Sequence, residues 1–109
     1  MDERTHRVGE NEIIYREVNE RVLELNDRFG TVEGPIDFVC ECGNGGCVER
    51  IELMREEYER VRASGRRFVV APGHQAPGLE DVVEETERFV VVEKRAGEPA
   101  AIAESADPR

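Results

Sequence analysis

The chain has no tryptophan and only six aromatic residues, four Phe and two Tyr, among 109 positions. It therefore brings little bulky apolar volume to a core. No window approaches about 18 consecutive apolar residues, so no segment reads as a transmembrane helix. The N-terminal Met-Asp-Glu-Arg-Thr-His-Arg is charged and runs into no apolar stretch, which argues against a secretory signal and makes the cytoplasm the expected compartment. Basic runs are missing too, beyond the pair Arg66-Arg67. With 15 Lys+Arg against 25 Asp+Glu the net charge is −10. A chain of that sign repels phosphate backbones, so nucleic acid is not an expected partner, whereas another protein is. Neither G-x-x-x-x-G-K nor G-x-G-x-x-G occurs, which removes the common phosphate-cradling loops. No catalytic constellation is visible either: Ser64 and Ser105 have no histidine near them in sequence, and the acids are scattered along predicted helix faces.

What is present suggests one domain. Residues 1–9 carry no apolar period and are expected to form a flexible N-terminus; 10–95 form a single metal-stabilised domain; 96–109 form a flexible acidic tail with one helical turn near Ala100 to Ala103. Within the domain, Ile14, Val18, Val22, Leu25 and Phe29 recur in steps of three and four, which predicts a long helix closed by a left-handed Gly30. Glu17 and Arg21 are spaced to form an i,i+4 pair on it. Its apolar face is expected to pack on the domain's own sheet, the alternative being a coiled-coil seam or partner-binding face. Ile36–Cys40 and Cys47–Leu53 read as strands of a hairpin. Residues 54–63 read as a second helix with Met54, Tyr58 and Val61 on one face, and Phe68–Ala71 as a strand stopped by Pro72-Gly73. Val82-Val83 and Phe89–Val92 form a second hairpin. The fold class is α+β: a long N-terminal helix packed on a small, mainly antiparallel sheet with a cysteine-knuckle hairpin.

All three cysteines fall within "FVCECGNGGCVERIEL". An odd number of thiols in an expected cytoplasmic protein does not describe a disulfide framework. In an extended strand, residues i and i+2 point to the same side, so Cys40 and Cys42 aim together and Glu41 aims away. The loop Gly43-Asn44-Gly45-Gly46 is rich in residues that accept positive φ and can fold Cys47 back toward them. Three converging thiols describe a metal knuckle that needs a fourth ligand. Of the two histidines, His6 lies in the segment without pattern, whereas His74 follows a strand end and a Pro-Gly turn. The expected ligand set is therefore Cys40, Cys42, Cys47 and His74. Zinc suits a tetrahedral sulfur and nitrogen site; an iron–sulfur cluster is the alternative. A zinc site closed by four protein ligands is structural, because no coordination position is left for water.

The segments "REVNERV", "FVCECGNGGCVERIEL", "EYERVR", "RFVVAPGH" and "VVEETERFVVVEK" together resemble a family of small actinobacterial proteins. In that family the C-x-C-x4-C pattern and the P-G-H tripeptide recur together. The resemblance implies one compact domain with a shared site made of Cys40, Cys42, Cys47 and His74. It implies no reaction, since no activity is established for the family. The functional expectation is a zinc-binding protein-interaction or regulatory module. The alternatives are a thiol redox sensor built on the same cysteines and an iron–sulfur electron-transfer protein.

Overall fold

The computed structural model describes residues 3–30 and 34–109. In chain order the elements are α1 (Glu3–Phe29), β1 (Ile36–Val39), β2 (Arg50–Leu53), α2 (Arg55–Val61), β3 (Arg67–Val70), β4 (Glu80–Glu85), β5 (Val90–Lys94) and α3 (Glu98–Ser105). The protein is α+β, with a long N-terminal helix over antiparallel strands. These strands divide into two small sheets rather than one: β1-β2, and a second of order β3-β5-β4.

The first sheet follows from simple alternation. Ile36 and Phe38 face inward, Asp37 outward, and the antiparallel register sets Phe38 opposite Ile51 and Ile36 opposite Leu53. One face is thereby apolar, and Phe38 stacks on Tyr58 of α2 at 4.3 Å between ring centroids. In the second sheet β5 is central and buried, as its Val90-Val91-Val92 run demands. The strand β4 lies at the edge, carries Glu80, Asp81, Glu84 and Glu85, and has a register shift between Val82 and Glu84. Charges and an irregular edge both discourage pairing with another chain. Helix α2 opens with the Glu57 carboxylate accepting from the Met54 N–H at 2.8 Å. Tyr58 and Val61 of α2 are buried as the pattern requires, but Met54 is 39% exposed.

Four expectations are corrected. Residues 1 and 2 lie outside the described residues, but 3–9, expected to form a flexible stretch ahead of the helix, belong to α1. The tail contains the full helix α3, whose Ala100 and Ala103 are buried. Gly30 does not take a left-handed conformation; its N–H still bonds the Asn26 carbonyl at 2.9 Å. The largest correction concerns which face of α1 packs. Ile14, Val18, Leu25 and Phe29 are exposed, and the buried residues are Thr5, Gly9, Glu12, Arg16, Asn19 and Leu23.

Polar side chains can face the core because each finds a specific partner, as buried polar groups must. The Arg16 guanidinium donates to the carbonyls of Gly65 (2.8 Å) and Ala103 (2.7 Å) and lies over the Phe68 ring at 4.7 Å. Arg16 thereby ties α1 to α3 and to the start of β3. The Lys94 ammonium sits between Glu12 (2.7 Å) and Glu80 (2.8 Å). The Asn19 side-chain amide accepts from the Val39 N–H at 2.8 Å and donates to the Val39 carbonyl at 2.9 Å. It thus satisfies the backbone at the end of β1 in the manner of one more residue of sheet. A second buried arginine, Arg62 after α2, pairs with Glu20 and Asp107.

Candidate metal centre

The hairpin of β1 and β2 continues one residue past Val39, where the Cys40 N–H bonds the Glu49 carbonyl at 3.1 Å. The chain then crosses to the other sheet. The Glu41 N–H bonds the Val69 carbonyl at 2.8 Å, and the Ala71 N–H donates to the Cys40 sulfur at 3.1 Å. Cys40 to Cys42 therefore run beside β3, and the site forms where the two sheets meet. Asn44 closes the knuckle: its side-chain oxygen accepts from the Gly46 N–H at 3.0 Å and its carbonyl from the Cys47 N–H at 3.0 Å. Both bonds turn the chain so that Cys47 comes back toward Cys40 and Cys42.

His74 arrives from β3. The His74 N–H bonds the Ala71 carbonyl at 3.0 Å across Pro72-Gly73, with Gly73 at φ +85°. Pro at the second position and a positive-φ Gly at the third make a type II turn. Such a turn fixes the direction of the residue that follows, and here it sets the His74 Nδ1 at 3.6 Å from the sulfurs of both Cys40 and Cys47. One donor atom from each of Cys40, Cys42, Cys47 and His74 lies within 4.8 Å of all the others. Around a tetrahedral ion with bonds of about 2.0–2.3 Å, neighbouring donors stand about 3.5–3.8 Å apart. Three cysteines and a histidine are thus close enough to bind one metal ion, and they are the four residues that the spacing selected. His6 is elsewhere, on α1, with its Nε2 at 2.8 Å from Glu10.

Charge at the cluster is unevenly shared. The close approach of the Cys40 and Cys42 sulfurs pulls the Cys42 thiol down to about 5 and pushes Cys40 up, with burial adding to the rise at Cys40. Burial also raises Cys47. Left to themselves the three sulfurs favour a thiolate at Cys42 beside two thiols. A divalent cation at the centre reverses that preference and takes all three as thiolates.

Two residues that support the centre escaped the sequence reading. Glu41, between the first two cysteines, is fully buried and faces away from the metal side as the strand alternation predicted. Its carboxylate accepts from Asn19 (2.8 Å), the Tyr58 hydroxyl (2.7 Å) and the Val69 N–H (3.0 Å). Burial pushes its pKa up while these three bonds pull it down. Asn19 is the other, since it grips both Val39 and Glu41. Together they fasten the Cys40–Cys42 segment to α1, α2 and β3. The available signal was the period-two rule itself: if Cys40 and Cys42 face a metal, Glu41 must find donors on the opposite side.

The glycine loop also works differently from the expectation. Gly43, Gly45 and Gly46 have no positive φ. Gly43 is required by space instead: a Cβ there would stand 2.4 Å from Val8 Cγ1 on α1. Asn11 and Tyr15 of the same helix hold the loop, with Asn11 Nδ2 at 2.8 Å from the Gly43 carbonyl and the Tyr15 hydroxyl at 2.8 Å from the Gly45 carbonyl.

No protein-family model, no curated protein and no solved structure matches the chain. No helix among the described residues is long and apolar enough to cross a membrane.

Proposed function

We propose that the chain is a cytoplasmic zinc-binding protein whose site of Cys40, Cys42, Cys47 and His74 is structural, and that it acts as a protein-interaction or regulatory module. The observation that carries this reading is the convergence of four donors, from the knuckle and the Pro-Gly turn, within 4.8 Å of one another. Three sulfurs and one nitrogen match zinc in number and softness. With all four bound, no position remains for the water that a hydrolytic zinc site needs. The ion would pin the knuckle to β3 at the edge of the core that the two sheets share. Bound zinc in small sites is worth an apparent 10–16 kcal/mol or so, more than the total stability of many domains. That the chain is akin to the small actinobacterial proteins its cysteine and P-G-H pattern resembles is part of the same proposal.

Elemental analysis and a visible spectrum of protein purified without added metal test it together. One zinc per chain in a colourless solution is the expected result, with chelator lowering the melting temperature. Iron with inorganic sulfide and a brown colour would replace zinc by the cluster. A metal-free protein whose melting temperature ignores chelator would remove the site. Thiol redox sensing is supported by a separate observation, the partial exposure of Cys47 beside the sulfurs of Cys40 and Cys42. Oxidation of two of these sulfurs to a disulfide would take two ligands from the ion and release it. Zinc release measured against added disulfide or peroxide separates a responsive site from an inert one.

A further inference from the structure

Ile14, Val18, Leu25 and Phe29 of α1 are 58%, 40%, 56% and 77% exposed. At about 100° per residue they fall within about 60° of one another, roughly opposite the face that Glu12, Arg16, Asn19 and Leu23 bury. A row of exposed large apolar residues on the outside of a helix marks an association surface. We propose that it is the seam of a homodimer, in which α1 packs antiparallel against α1 of a second copy about a two-fold axis.

Spacing is the first reason for this occupant. The steps along the stripe are four, seven and four residues (14 to 18, 18 to 25, 25 to 29), a series that reads the same in both directions. In an antiparallel pair Ile14 therefore meets Phe29 of the second copy, and Val18 meets Leu25. Each apolar residue faces an apolar residue, as a self-complementary two-fold interface requires.

Charge is the second. One flank of the stripe carries Glu17, Arg21, Glu24 and Arg28, alternating in sign. An antiparallel two-fold brings this flank against itself in reverse order. Glu17 then faces Arg28 of the second copy, and Arg21 faces Glu24. In a parallel pair the same flank would meet the opposite one, where Asn11 and Tyr15 are bonded to the knuckle carbonyls and Val22 packs on the core. No charge there could answer it. Within the chain these groups are poorly used: among the described residues Glu17 and Arg21 make no ion pair, and Arg28 reaches Glu24 only at 3.7 Å. The expected i,i+4 pair of Glu17 with Arg21 is thus not formed, and both charges remain available.

Four apolar residues per chain make a small interface, so association is expected to depend on concentration. No stripe residue is a metal ligand, and the dimer stands or falls independently of the zinc reading. Sedimentation equilibrium of the full chain, with its metal content recorded, should show a species of twice the 12.3 kDa chain mass that grows with concentration. Leu25→Glu should abolish it while leaving the helical circular dichroism and metal content unchanged. Arg21→Glu should weaken association roughly tenfold or more by setting like charges together, and adding Glu24→Arg should restore it. Register is read by chemistry: Lys94, the only lysine in the sequence, is buried. The amine introduced by Arg28→Lys, treated with a carbodiimide, should therefore link between chains to Glu17. A single 12.3 kDa species at every concentration, a dimer indifferent to Leu25→Glu, or an interchain link from position 28 that avoids Glu17 would overturn the proposal.

Discussion

His74 Nδ1 stands 3.6 Å from the Cys40 sulfur, 34 residues away along the chain. Nothing in the local hairpin requires this approach; it depends on the crossing of the Cys40–Cys42 segment onto β3. His74→Ala should therefore reduce metal affinity while leaving a three-thiolate remnant whose fourth position water can fill. The variant is expected to melt lower than the parent in the presence of zinc and to lose the ion faster to a competing chelator. His6→Ala should change neither, because its imidazole only reaches Glu10 on an exposed surface of α1. Equal metal affinity in the two variants would remove His74 from the site.

Gly43 packs against α1 so closely that a methyl group would overlap Val8 Cγ1 at 2.4 Å. The backbone of Gly43 is not strained, so the cost of Gly43→Ala should come from crowding alone, about 1–3 kcal/mol. Val8→Ala removes the offending carbon, and the double variant should recover much of the loss. Additive losses in the double-mutant cycle of denaturation midpoints would show that the contact is not the cause.

The contrast between these two sites shows what was legible in the sequence. The convergence of the four candidate ligands could be read because strand alternation and a Pro-Gly turn are local rules. They set the direction of Cys40, Cys42 and His74 within a few residues of each. The packing face of α1 could not be read that way. Apolar periodicity reports where a helix is greasy, and it names the core face only when burial inside the chain is the sole use of grease. Here the inner face is keyed by Glu12, Arg16 and Asn19, each matched to a partner far along the chain: Lys94, the carbonyls of Gly65 and Ala103, and the end of β1. Such matches have no period. The tail was read as one helical turn rather than the full helix α3 for a similar reason, since the Gly, Pro and Ala around it look like a linker until the Arg16 bond to Ala103 is known.

Asn19 is the clearest of these keys. It makes two bonds to Val39 and one to the buried Glu41. Asn19→Leu preserves approximate volume but leaves the Val39 N–H and one bond of the Glu41 carboxylate without a partner. Each buried group left unsatisfied costs about 1–3 kcal/mol, and a carboxylate more. The variant should lose several kcal/mol in chemical denaturation, and its metal affinity should fall with it, because the same amide secures the segment carrying Cys40 and Cys42. A stable variant with parental metal affinity would mean that Asn19 is replaceable packing.

Glu12 gives the fold a pH dependence with a definite sign. Burial raises its carboxyl to about 8, against the pull of Lys94 and with a further push from Glu80. Between an unfolded value near 4.5 and that folded value, the folded chain holds a proton that the unfolded chain releases. Stability from this group is therefore fully present below about pH 4.5 and is lost progressively as the pH rises toward about 8. Glu12→Gln keeps the shape and the contact with Lys94 but cannot titrate. The thiols also titrate over part of this range and bend the curve of either protein, so the informative quantity is the difference between the two. The melting temperature of the parent minus that of Glu12→Gln should shrink as the pH is raised from about 5 to about 8. A gap that stays constant would mean that Glu12 is ionised throughout, held by Lys94, and a gap that widens would reverse the sign.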